Sequence, residues 1–177
     1  LVLAKRLDSS ALNLSTQGLD VLLCHLLRND PEIPDSSNTN PSNSALVSDF
    51  IHQYNDLMSC GITVDQDFIS RFRHHFYDEN SYRDIFLVDA LLAVFILKIK
   101  HSIFEMLPRA SYIPLTTLID IVKSNHFVRE MWPAQRYMCS MGLFMGASGV
   151  IQMPTGAGKT KSVSMAIYSA FCSGRVN

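Results

Sequence analysis

The residues in this chain whose types and spacing can do chemistry are Met153-Pro154-Thr155-Gly156-Ala157-Gly158-Lys159-Thr160. Gly156 and Gly158 permit a tight backbone turn that aims successive N–H groups at one point, a cradle for phosphate oxygens. A helix opening at Lys159 adds its partly positive N-terminus. The Lys159 ammonium then reaches β and γ phosphates, and the Thr160 hydroxyl joins the coordination of Mg²⁺. The flanks agree with this reading. Gly149-Val150-Ile151-Gln152 is a short run with adjacent β-branched residues, and an apolar-periodic segment follows to Phe171. Strand, glycine turn and helix thus come in the order such a loop needs. A surface turn that merely carries Gly, Lys and Thr is the alternative, and it leaves the flanking order unexplained.

The strict pattern asks for glycine where this chain has Met153. Pro-Thr-Gly-x-Gly-Lys-Thr after an apolar residue resembles the first motif of superfamily 2 helicases and translocases. GTPases, kinases and transporter ATPases usually keep the leading glycine, which leaves a P-loop kinase or transporter as a minor alternative. Upstream, Trp132-Pro133-Ala134-Gln135-Arg136 places Gln135 24 residues before Lys159. This is similar to the family's R-P-Y-Q-like segment, whose glutamine reads adenine. A carboxamide offers one donor and one acceptor, which match adenine N7 and N6 and mismatch guanine. Trp132 and Ala134 stand where Arg and Tyr are commoner, so ring stacking by the tyrosine position does not carry over.

The resemblance covers Trp132 to Cys172. It implies ATP and Mg²⁺ as cofactors, DNA or RNA as partner of the whole protein, and an intracellular location, cytoplasmic or nuclear. The site residues it implies are Gln135, Thr155, Gly156, Ala157, Gly158, Lys159 and Thr160, with Thr160 holding Mg²⁺ through the nucleotide. No catalytic residue is expected within the chain. The family's Asp-Glu-x-x segment lies beyond the phosphate loop, and so do its second lobe and arginine finger. Hydrolysis needs a carboxylate to orient water and a cation for the developing charge. These 177 residues are therefore expected to have no ATPase or unwinding activity by themselves. A strand at 149–153 also has no sheet to join, so the chain reads as a piece of a longer polypeptide, and the lack of a starting Met suggests a true N-terminus upstream.

Composition bounds the rest. Apolar residues make up 47% and charged ones 18%, which excludes global disorder and implies a filled core or a covered face. A net charge of −1 gives no bulk attraction to nucleic acid. Cys24, Cys60, Cys139 and Cys172 are scattered without metal-ligand spacing and read as isolated thiols. The apolar run Ile85–Ile99 carries Asp89 and Lys98 and is too short to span a bilayer, so no membrane partner is expected. Asn13-Leu14-Ser15 reads as a chance glycosylation match.

The first 130 residues read as helical. Helices are predicted over Ser15–Arg28, Ala45–Met58, Asp65–Tyr77, Ser81–Leu107 and Leu115–Lys123, with a flexible loop over 29–44. The fourth is predicted to open on Ser81 and Asp84 at capping-box spacing and to stop at Pro108. Its first half is apolar nearly all round, as for a central helix, and its second half puts Lys98, His101 and Glu105 on one face. Phe76, Phe86, Phe95 and Phe104 are candidate core members. Arg71, Arg73, His74, His75 and Arg83 form a candidate phosphate-contacting patch, with a solvated charged face as the ordinary explanation.

The fold expected is mainly α. A helical accessory domain (1–130) precedes the first strand, phosphate loop and helix of an incomplete RecA-like α/β domain (131–177). The function expected is that of the N-terminal part of an ATP-dependent helicase or translocase. The alternative is a helical module that binds a protein partner beside a vestigial or truncated NTPase segment, and the sequence leaves both open.

Overall fold

A computed structural model describes residues 18–34, 44–61, 64–79, 82–124 and 127–174. The fold they form is mainly helical: α1 (Leu19–Arg28), α2 (Ser44–Cys60), α3 (Gln66–Glu79), α4 (Tyr82–His101), α5 (Ile103–Ala110), α6 (Leu115–Lys123), α7 (Pro133–Ser140), a 3₁₀ turn (Leu143–Met145) and α8 (Lys159–Cys172). No described helix is long and apolar enough to cross a membrane. Two compact units result. One comprises Leu1–Met58 and Ile62–Ile99, the other Ser59–Gly61 and Lys100–Asn177. The division thus falls ahead of residue 130, because Ile103, Leu107, Leu118 and Met131 share a core with Met138, Phe144 and Met165.

In the first unit the spacing of apolar residues does the work. Leu19, Leu22, Leu23 and Leu26 line the buried face of α1, and Phe68, Phe72 and Phe76 recur every fourth residue along α3. Phe72 lies with its ring centroid 5.0 Å from Phe76 and 5.3 Å from Phe50. Phe50 in turn lies 4.8 Å from Phe95 of α4. Tilted pairs at such separations each add about 0.5–1.5 kcal/mol beyond area burial.

Several expectations are corrected here. Residues 29–34 are fastened, not free. Asn55 accepts from Ile33 N–H at 2.8 Å and donates to Ile33 C=O at 2.9 Å, while the Tyr54 hydroxyl donates to the Asp30 carbonyl at 2.6 Å. The rest of the predicted loop (35–43), the start of the first helix, the sequon and Ser81 lie outside the described residues. Lys98 is buried, donating to Asn29 Oδ1 at 2.6 Å, so it does not share a solvent face with His101 and Glu105. Phe86 is 71% exposed, whereas Phe76, Phe95 and Phe104 are buried. The arginine patch is neutralised by carboxylates: Arg71 lies 3.8 Å from Asp65, Arg73 3.2 Å from Asp89 and Arg83 3.9 Å from Asp20.

The second unit explains why the long helix breaks early. At Ser102 the backbone turns extended and the Ser102 hydroxyl accepts from Phe104 N–H at 3.3 Å, starting α5 afresh. Segment 129–131 holds the break open. Ile103 N–H donates to Arg129 C=O at 3.0 Å, and Met131 N–H donates to His101 C=O at 2.8 Å. Pro108 then sits inside α5, which ends two residues later at Ala110. No strand forms among the described residues. Segment 149–153 has no regular structure, as befits a single stretch without a partner for its backbone groups.

Candidate phosphate-binding site

The site is built on two helices of the second unit. Pro133 opens α7 at its first position, where the missing N–H is no loss, and Trp132 is the cap residue in extended backbone (φ −69°, ψ 157°). Gln135, two residues on, turns its side chain back. Its Oε1 accepts from Trp132 N–H at 2.9 Å, one half of a capping box. The side chain is only 1% exposed.

Below α7 the chain runs through the 3₁₀ turn to the glycine loop. Gly156 has φ +85° and Gly158 φ +81°, while no other residue of 155–159 has a positive φ. The sign of φ therefore alternates over Thr155, Gly156, Ala157, Gly158 and Lys159, so the chain turns tightly at two glycines in quick succession. Ala157 N–H closes a turn on Pro154 C=O at 3.3 Å. The α8 helix starts only after Gly158, and its first hydrogen bond runs from Ser162 N–H to Gly158 C=O at 2.9 Å. The amides of Gly158, Lys159 and Thr160 thus have no acceptor among the described residues. Side chains at 159 and 160 are exposed, and nothing lies within 4 Å of a Cβ placed on Gly156. The cradle is open to solvent on that side.

On the other side it is closed by Gln135 and Trp132. A Cβ built on Gly158 would lie 3.0 Å from Gln135 Nε2 and 3.5 Å from Trp132 Cε3. The fold therefore brings together all the residues the sequence singled out, Gln135 with the loop from Thr155 to Thr160. It places Gln135 as a buried prop between helix cap and loop. Trp132 was not foreseen as part of the site. The signal available was its position beside Pro133, which restricts its backbone to the extended region.

The helix behind the loop is anchored by small polar residues. Ser162, Met165 and Ser169 face inward. Ser162 Oγ donates to Gly158 C=O at 3.0 Å, steadying the last glycine of the loop. Ser169 Oγ donates to Phe144 C=O at 2.5 Å and accepts from Tyr112 N–H at 2.9 Å. The opposite face is apolar and exposed at Val163, Ile167 and Phe171, and beside it a groove of about 450 Å³ reaches Ile151 and Met153.

Electrostatics around α7 are set by burial and by cations. Burial raises the Cys139 thiol to about 11. Burial and the charge of Arg136, helped by Lys100, push His101 below its ordinary value against the pull of Glu130. All four cysteines are free thiols.

No family model, curated protein or solved structure matches this chain.

Proposed function

We propose that residues 155–160 receive the phosphates of a nucleoside triphosphate, and that the chain is the N-terminal part of an ATP-driven helicase or translocase acting on DNA or RNA. The observation that carries this reading is the pair of positive-φ glycines at 156 and 158, followed by amides without an acceptor among the described residues at a helix start. An open concavity of N–H groups followed by Lys and Thr matches the chemistry of a polyphosphate chain. The Lys159 ammonium has no carboxylate or carbonyl partner among the described residues, so it is available to an anion. Thr160 fits Mg²⁺ as a hydroxyl ligand, and bound Mg²⁺ would neutralise phosphate charge. Among the described residues no group of three or more His, Cys, Asp or Glu side chains is placed to hold a metal ion, so on this reading the cation arrives with the nucleotide.

Calorimetric titration of the 177-residue chain with Mg²⁺-tripolyphosphate tests the reading. Binding that Lys159→Ala reduces at least tenfold is the expected result. No binding, or binding indifferent to Lys159, refutes it. Hydrolysis by this chain alone is not expected.

A second reading, a helical module that docks a protein partner, is favoured by one observation. Tyr82 and Phe86, one turn apart on α4, are 94% and 71% exposed. A partner bound in stoichiometric amount and released by Phe86→Ser supports it. Undiminished binding counts against it.

A further inference from the structure

The residue expected to recognise the base is engaged elsewhere. Reading adenine requires Gln135 to present both its oxygen and its amide to the base edge. In the folded chain that oxygen accepts from Trp132 N–H at 2.9 Å, and the amide nitrogen lies against Gly158. The side chain is 1% exposed, with no edge turned to a ligand. Releasing it would leave Trp132 N–H unsatisfied at the start of α7 and open a gap under the loop.

Trp132 is placed differently. Its ring lies beside the loop, with Cε3 3.5 Å from where a Cβ on Gly158 would stand, yet the residue is 46% exposed. Pro133 holds the Trp132 backbone extended, which fixes the direction in which the indole leaves the chain. A large aromatic ring beside the loop, with about half its surface in water, can serve as a stacking platform. Stacking tolerates any base, because every base has a π face.

Building on the triphosphate reading, we infer that the base is held by stacking on Trp132, with Gln135 serving as a positioning residue, and that the site takes ATP and GTP alike. This departs from the adenine selectivity that the superfamily 2 resemblance implies. Purines overlap an indole more fully than pyrimidines, so CTP and UTP bind more weakly than either.

The experiment uses the whole chain and the fact that Trp132 is its single tryptophan. Mg²⁺ complexes of ATP, GTP and tripolyphosphate are titrated by calorimetry, and indole fluorescence is read in parallel. The expected results are ATP and GTP affinities within threefold of each other, quenching by both, and tripolyphosphate binding without quenching. Trp132→Leu lowers both nucleotide affinities roughly 5- to 150-fold, the range of one lost stacking contact, and lowers them more than it lowers the affinity for tripolyphosphate. Trp132→Phe, which keeps a ring, retains most of the affinity and guards against a folding defect. A tenfold preference for ATP that Gln135→Ala abolishes overturns the inference, as does Trp132→Leu binding nucleotides like the parent chain. Absence of tripolyphosphate binding in the parent chain refutes the triphosphate reading itself, and this inference with it.

Discussion

Replacing Gly61 by alanine separates two effects that a tight turn combines. Gly61 has φ +69°, and a Cβ there would lie 2.2 Å from Phe104 Cβ and 2.5 Å from Cγ. The left-handed backbone by itself costs an L-residue about 1–2 kcal/mol. The overlap is with the root of a buried side chain, which cannot swing away, so an overpacking cost of about 1–3 kcal/mol is added. Gly142 is the matched control in the same unit. Its φ is +68°, but the nearest atom to its Cβ would be Ala147 Cβ at an ordinary 3.8 Å. Gly142→Ala is expected to lose about 1–2 kcal/mol and Gly61→Ala about 2–5 kcal/mol. Urea unfolding followed by the fluorescence of Trp132, which lies in the same unit, measures both. Equal losses in the two variants would show that Phe104 does not press against the turn, and the packing argument for the 59–61 junction would fail.

Other expectations concern the core and the titrating groups. Phe50→Ala empties the centre of the aromatic cluster in the first unit, where Phe68, Phe72 and Phe95 meet, and is expected to cost about 3–5 kcal/mol by urea unfolding under far-UV circular dichroism, with a loss below about 1 kcal/mol arguing against that cluster. His101 is held below its ordinary 6.5, mainly by burial and by Arg136. The unfolded chain therefore binds the proton more readily, and stability falls as pH drops through about 6.5. His101→Gln should flatten that slope, and an unchanged slope would mean that His101 does not carry it. Cys139, raised to about 11 by burial, should resist a disulfide reagent in the folded chain from pH 7 to 9, whereas exposed Cys172 reacts. Peptide mass mapping distinguishes them, and early labelling of half-buried Cys139 would refute the shielding of its thiol.

What was legible in the sequence followed from local chemistry. Leu115–Lys123 is found as read, because Pro114 marks its start and a helical apolar stripe defines its length. The glycine loop was legible because left-handed backbone at 156 and 158 suits glycine almost alone. The misreadings come from distant partners. Apolar periodicity runs unbroken through Ile99 and Ile103, and bonds with Arg129 and Met131 split the helix at Ser102, whose hydroxyl caps the new start. Phe86 looked like core on an all-apolar helix, but Leu87, Val88, Leu91 and Phe95 form the buried side. The role of Gln135 was hidden for the same reason. Its sequence position fits a base reader, while the nearness of Gly158 is a property of the folded chain.

The two bonds of Ser169 have a mechanical meaning for α8. Ten residues separate Ser169 from Lys159, roughly 15 Å along the axis at the usual helical rise. The rod is thus fastened to Phe144 and Tyr112 near its C-terminal end, well away from its opening at Lys159. A pull along its axis cannot slide the rod lengthwise without dragging the 143–145 turn and the 111–113 corner along.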